Sequence, residues 1–277
     1  MKIAAVQMVS GISREANLAR ARALLAEAAA GGAELAVLPE YFCLMGRRDG
    51  DKLPLAEAPG EGPVQHFLAD AARALGLWIV GGTLPMRVDG DAHHVFNTSL
   101  AFSPQGACVA RYDKIHLFCF DDGRERYDEA RVIAPGARPV VFDLPSRDGH
   151  RWRVGMSVCY DLRFPELYRA LAGEGAELLL VPAAFTHTTG SAHWELLLRA
   201  RAVENLCWVA APAQGGTHEN GRRTWGQTLV ADPWGRLAAQ RADQGEGVVL
   251  AELDIGRLAQ CREQLPALRH RVLWPPA

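Results

Sequence analysis

Arg153-Val154-Gly155-Met156-Ser157-Val158-Cys159-Tyr160-Asp161-Leu162-Arg163-Phe164-Pro165-Glu166 is the stretch around which the chain is organised. Apolar side chains at Val154, Met156 and Val158 alternate as in a buried strand, and Pro165 suits the first turn of a helix, where a missing N–H costs nothing. Cys159 therefore lies in a strand-to-helix turn. Backbone N–H groups converge there and the positive end of the helix is close, which favours a thiolate. A buried cysteine is otherwise just a small hydrophobe, so this stretch alone leaves both readings open.

Upstream of it, Lys2 to Val9 reads as a strand and Ser13 as the cap of a helix running to about Ala30, with Gly31 and Gly32 ending it. Leu35 to Leu38 is a short strand that stops at Pro39-Glu40. Gly62 to Leu75 has helical periodicity, and Leu77 to Leu84 reads as one buried strand. Between His94 and Asp113 two strands meet at the turn Ser103-Pro104-Gln105-Gly106, so part of the sheet is antiparallel. Asp121 to Pro139, rich in charge, Gly and Pro, reads as a long surface loop with the makings of a lid.

Downstream, Val140 to Leu144 and Val154 to Val158 are strands, Phe164 to Gly173 a helix, Leu178 to Val181 a strand and Ala192 to Asn205 a helix. Cys207 to Ala211, Trp225 to Ala231 and Gly247 to Leu253 complete the strands around the turn Asp232-Pro233-Trp234-Gly235, and Ile255 to Leu265 is a last helix. No fixed-period repeat or low-complexity linker divides the chain, so residues 1–277 read as a single layered α/β domain. The pattern leaves open two sheets face to face with helices outside, or one sheet with helices on both faces.

Composition narrows the function classes. Of 277 residues, 49% are hydrophobic and 22% charged, as in an ordinary globular protein, and the net charge of -2 comes from interspersed signs without a basic block. A nucleic-acid or anionic-membrane partner is not indicated. The first residues lack a signal peptide's apolar run, and no stretch reaches the roughly 18 apolar residues of a membrane span. Six scattered cysteines (Cys43, Cys108, Cys119, Cys159, Cys207, Cys261) without a C-x-x-C pair fit free thiols in a reducing, cytoplasmic compartment.

Three reactive groups sit where strands end: Glu40, Lys114 and Cys159. Strand ends on one edge of a sheet converge readily. If these meet, an ammonium lowers the thiol from its usual value near about 8.5 and the carboxylate takes its proton, giving a nucleophile for an amide carbon. Lys114 and the backbone N–H of Tyr160 would then hold the oxyanion, and Glu40 would act as acid and later as base. Each residue also reads as an ordinary exposed charge. A Gly-x-Ser-x-Gly elbow, a Gly-x-Gly-x-x-Gly turn and a P-loop are missing, and His93 and His94, adjacent on a strand, point to opposite faces and make no metal cluster.

Leu38-Pro39-Glu40, Tyr112-Asp113-Lys114-Ile115-His116-Leu117-Phe118 and Cys159-Tyr160-Asp161-Leu162-Arg163-Phe164-Pro165-Glu166 resemble, in order, the three signature motifs of the nitrilase superfamily of carbon-nitrogen hydrolases. The likeness extends through Pro182 to Thr186, the helix His193 to Ala202 and Asp232 to Gly235. It implies a four-layer α-β-β-α sandwich, a Glu40-Lys114-Cys159 triad, no metal or organic cofactor, and a homodimer packed sandwich on sandwich or a higher homo-oligomer. It also implies a second glutamate, matched by Glu129 with Glu125 as a weaker candidate. Cys-Tyr-Asp-Leu-Arg-Phe-Pro-Glu and Thr189 to Glu195 are most similar to the branch of omega-amidases and deaminated glutathione amidases, and Ala213 to Glu219 with Trp225-Gly226-Gln227 tilts toward the latter. The charged loop Cys119 to Arg126 departs from that branch. By the same resemblance Phe185, Thr186 and Thr189 line a pocket for a small-molecule amide, with Arg163 near the triad. A nitrile, an N-carbamoyl amino acid or an aliphatic amide is the rival substrate, and a non-catalytic binding protein the rival class.

Overall fold

The alternation along each strand determines which face packs against what. The structure, a computed structural model, describes residues 1–272; positions 273–277 of the expected single domain lie outside the described residues. The chain opens with β1 (Lys2–Gln7), α1 (Arg14–Ala30), β2 (Leu35–Val37), α2 (Pro63–Leu75), β3 (Trp78–Val80), β4 (Leu84–Val88), β5 (Asp91–Phe102) and β6 (Cys108–Asp113). A hairpin of β7 (Cys119–Asp121) and β8 (Arg126–Asp128) and the short β9 (Ile133–Ala134) lead to β10 (Val140–Pro145) and β11 (Arg151–Met156). Next come α3 (Pro165–Gly173), β12 (Leu178–Leu180), α4 (His187–Asn205) and β13 (Trp208–Ala211). A second hairpin, β14 (Gly215–Thr217) and β15 (Arg223–Trp225), precedes β16 (Thr228–Ala231), β17 (Leu237–Arg241), β18 (Gly247–Glu252) and α5 (Ile255–Gln264).

One sheet runs β18-β1-β2-β3-β5-β4 with β6 and β9 also paired to β5; the other runs β10-β11-β12-β13-β16-β17. Ile3, Ala5, Leu35 and Val37 of the first sheet share a core with Val154, Met156, Leu178 and Leu180 of the second. The residues between them, Ala4, Val6, Ala36 and Leu38, point the other way and pack beneath Leu24 and Leu25 of α1 and Phe67 and Leu68 of α2. On the far side of the second sheet, Gly155 leaves room for Leu171 of α3 and Leu179. The period of two along the strands thus builds an α-β-β-α sandwich. That resolves the choice that patterning left open.

Several elements differ from the sequence reading. The expected strand Leu77 to Leu84 is interrupted after Val80, because Gly82 adopts φ +44 and its backbone runs so close to Pro39 that an added Cβ would sit 2.0 Å from the Pro39 carbonyl oxygen. Trp225 to Ala231 likewise divides at Gly226 and Gln227, whose φ values are +77 and +54. Helix α4 begins at His187 instead of Ala192, since Thr186 caps it by accepting the Thr189 N–H at 3.3 Å. The stretch Asp121 to Pro139 is not one structureless loop: it contains the β8 arm of the hairpin, a 3₁₀ turn (Glu129–Arg131) and β9. Ser13 caps α1 as read, accepting the Ala16 N–H at 3.2 Å.

Candidate active site

The parallel strands β1, β2 and β3, and β11, β12 and β13, end at the same side of the sandwich, and the loops leaving β2, β6 and β11 carry Glu40, Lys114 and Cys159. Glu40 is buried (1% exposed) in a tight turn: the Tyr41 N–H donates to the Thr83 hydroxyl at 2.9 Å, just past the glycine that lets the two segments touch. One carboxylate oxygen of Glu40 accepts from Lys114 Nζ and from Asn97 Nδ2, each at 2.9 Å; the other accepts the Ala184 N–H at 2.9 Å. Lys114 is completely buried. Its ammonium also donates to both oxygens of Glu129, at 3.0 and 2.7 Å. Glu129 is fixed in turn by the Tyr41 hydroxyl at 2.7 Å and the Phe118 N–H at 2.8 Å.

Cys159 opens a 3₁₀ turn (Cys159–Arg163) with φ +51, a left-handed conformation unusual for a residue with a side chain, and its N–H donates to the Pro182 carbonyl at 2.9 Å. Asp161, fully buried, fastens that turn to the lysine loop. It accepts the Val158 N–H at 2.9 Å, the Tyr112 hydroxyl at 2.6 Å, the His116 N–H at 3.0 Å and bonds His116 Nδ1 at 2.7 Å. Two loops from different sheets are thereby held in one register.

Between them lies a cavity of about 280 Å³, lined by Glu40, Phe118, Glu129, Cys159, Tyr160, Arg163, Ala184, Phe185, Thr186, Thr189 and Arg222. The structure thus brings Glu40, Glu129, Cys159, Tyr160, Arg163, Phe185, Thr186 and Thr189 to one place, with Lys114 behind the wall. Glu125 is elsewhere, accepting from Thr188 Oγ1 at 3.3 Å. Arg163 lies over the Tyr160 and Phe185 rings, 5.7 and 5.5 Å from their centroids. Tyr41, Asn97, Asp161 and Arg222 are parts of the site that the sequence reading missed. Asn97 heads the polar run Asn97-Thr98-Ser99 between apolar residues of one strand, and that run was a usable signal, because buried polar groups need partners; Arg222 in a polar turn offered none.

The carbon-nitrogen hydrolase family model matches residues 2–263. The chain belongs to the carbon-nitrogen hydrolase family. It is similar to a deaminated glutathione amidase of Synechocystis sp. (strain PCC 6803 / GT-S), 42% identical over 97% of each chain, and to an omega-amidase of Xenopus laevis, 37% identical over 98% of this chain and 94% of that one. Among solved structures, a Saccharomyces cerevisiae member of branch 10 of the nitrilase superfamily superposes with a TM-score of 0.85 at 29% identity, covering 96% of this chain and 94% of that one.

The electrostatics of this hydrolase correct one expectation. Burial, and after it the Glu40 carboxylate, push the Cys159 thiol well above its ordinary value, and the opposing Lys114 charge does not win. The reason is the company Lys114 keeps. Burial would lower its pKa, but Glu129 and then Glu40 outweigh that and hold it above the usual range, so its charge is already matched by two carboxylates. Burial works against the charged form of Glu129 too, but Lys114 and the hydrogen bonds from Phe118 and Tyr41 leave its pKa below normal. The resting sulfur is therefore a thiol beside a carboxylate, rather than a standing thiolate.

Proposed function

We propose that the chain is a single carbon-nitrogen hydrolase domain, a cofactor-independent amidase that cleaves a small amide through a thioester on Cys159. The observation that carries this is the Glu40 carboxylate set between the Lys114 ammonium and the Cys159 thiol at the wall of one cavity. As the carbonyl carbon approaches, Glu40 takes the thiol proton and the sulfur attacks. Negative charge collects on the carbonyl oxygen, opposite the Lys114 charge and the Tyr160 backbone N–H; losing one such donor typically costs about 3 to 4 kcal/mol. Glu40 passes its proton to the nitrogen, the C–N bond breaks and the amine leaves. A water that Glu40 deprotonates then attacks the thioester, the C–S bond breaks, and the proton returns to the sulfur as the acid departs. Glu129 positions Lys114 throughout.

For the acyl half, the Arg163 guanidinium over the Tyr160 and Phe185 rings, in a wall shared with Thr186 and Thr189, supports a carboxylate contact there. This favours the 2-oxo-dicarboxylate acyl group shared by deaminated glutathione and 2-oxoglutaramate over nitriles, carbamoyl compounds and simple aliphatic amides. The chain is further proposed to act in the cytoplasm as a homodimer. Leu196 (69% exposed) and Val203 on α4, seven residues apart on one face, with Trp234 beyond, supply an apolar surface for that contact. Ammonia and amine release are to be measured with these four substrate classes beside Cys159→Ala. The expected result is release from one of the 2-oxo-dicarboxylate amides, a mass increase on Cys159 equal to the acyl half, and a loss of at least about 10⁴-fold in the variant. Undiminished turnover by Cys159→Ala would overturn the mechanism.

A further inference from the structure

Arg222 enters the catalytic cavity from the turn between β14 and β15. Its Nη2 donates to the Ala184 carbonyl at 3.3 Å and its guanidinium lies 5.0 Å from the centre of the Tyr127 ring. Its Nε is buried and has no acceptor among the described residues. A guanidinium N–H turned inward without a partner is an open place for an anion. The same side chain lines a second cavity of about 310 Å³, which shares Phe118, Glu129 and Arg222 with the first and adds Tyr41, Asp49, Lys52, Tyr127 and Asp128. Lys52 is buried (4% exposed), with its ammonium 4.6 Å from the centre of the Tyr41 ring. Its nearest carboxylate, the largely exposed Asp49, is 3.8 Å away. Asp128 also borders this space, while Glu129 is already engaged by Lys114.

The catalytic cavity and the adjoining one share Phe118, Glu129 and Arg222 as walls, so a group extending from the scissile bond past Glu129 meets Arg222 and then Lys52. Arg163 serves the acyl end. We infer that Arg222, with Lys52 across the adjoining cavity, forms a subsite for the amine half of the amide and there takes a carboxylate. The substrate would then carry a carboxylate on each side of the scissile bond, so that the site selects amides of amino acids or short peptides over primary amides.

This inference rests on the amidase reading, and two substrates with the same acyl group separate the two. 2-Oxoglutaramate releases ammonia, whereas deaminated glutathione releases an amine half that ends in a carboxylate. The quantity to follow is the ratio of kcat/KM for deaminated glutathione to kcat/KM for 2-oxoglutaramate. Arg222→Gln is expected to lower this ratio at least tenfold, chiefly through KM, Arg222→Lys to restore part of it, and Lys52→Gln to lower it at least threefold. Equal losses on both substrates would show a structural role and overturn the subsite, and an unmoved ratio in Lys52→Gln would do so even if Arg222→Gln failed to fold. Turnover that survives Cys159→Ala would instead remove the amidase reading, and the subsite with it.

Discussion

Glu129 is the residue on which the state of Lys114 turns. Replacing it by Gln leaves the buried ammonium with Glu40 as its remaining carboxylate, and breaking a buried ion pair by removing one partner typically costs about 3 to 5 kcal/mol. Glu129→Gln is therefore expected to lower kcat roughly 10- to 100-fold and to destabilise the fold measurably in urea. The pH dependence has a definite sign. The pKa of Glu129 is lower folded than unfolded, so its contribution is present above the ordinary glutamate value, about 4.3, and fades as pH falls through the lowered value. Lys114 has a raised pKa, so its contribution is complete below about pH 10 and is lost as pH climbs through the raised value. The stability gap between wild type and Glu129→Gln, from urea melts at a series of pH values, should stay flat from about pH 5 to pH 9 and narrow below about pH 4. A gap that widens on acidification would contradict the assignment.

Among the connecting elements, the glycine after β3 is the most consequential. Because an added methyl at Gly82 would sit 2.0 Å from the Pro39 carbonyl oxygen, and φ +44 disfavours a side chain in any case, Gly82→Ala must displace the Pro39-Glu40 turn. A loss of roughly 2 to 4 kcal/mol is expected, seen as a fall in melting temperature of several degrees, together with a drop in kcat larger than for a substitution at the solvent-facing Gly90. The same position shows where sequence reading succeeds and fails. Strand ends at Glu40, Lys114 and Cys159 stand out because a reactive group follows directly on an apolar run. The break at Gly82 does not, since its cause is a segment some forty residues earlier. Asp161 lies inside the most recognisable motif, yet its task of joining the β6 and β11 loops is visible only when both sheets are in place. Arg222 sits in a polar turn whose composition says nothing about a cavity. Local patterning specifies elements and their faces; contacts between distant loops come from tertiary packing.

For the whole molecule, the exposed apolar stripe on α4 sets an expectation about assembly. Leu196→Glu places a charge on the most exposed apolar side chain of that face, and light scattering should then report the mass of one chain where the unaltered protein reports two, with an unchanged circular dichroism spectrum. A wild-type mass of one chain would dismiss the homodimer. The sandwich has a further consequence. Glu40 and Lys114 hang from one sheet and Cys159 from the other, and Asp161 joins them only once both layers have closed. Synthesis proceeds from the N-terminus, so the first sheet's carboxylate and ammonium leave the ribosome well before the sulfur and the strands that carry it. A nascent chain whose second sheet has not yet folded therefore has no base beside its sulfur. Its cysteine is an ordinary solvent-exposed thiol without a partner acid or base, and amide turnover begins only when both sheets are seated.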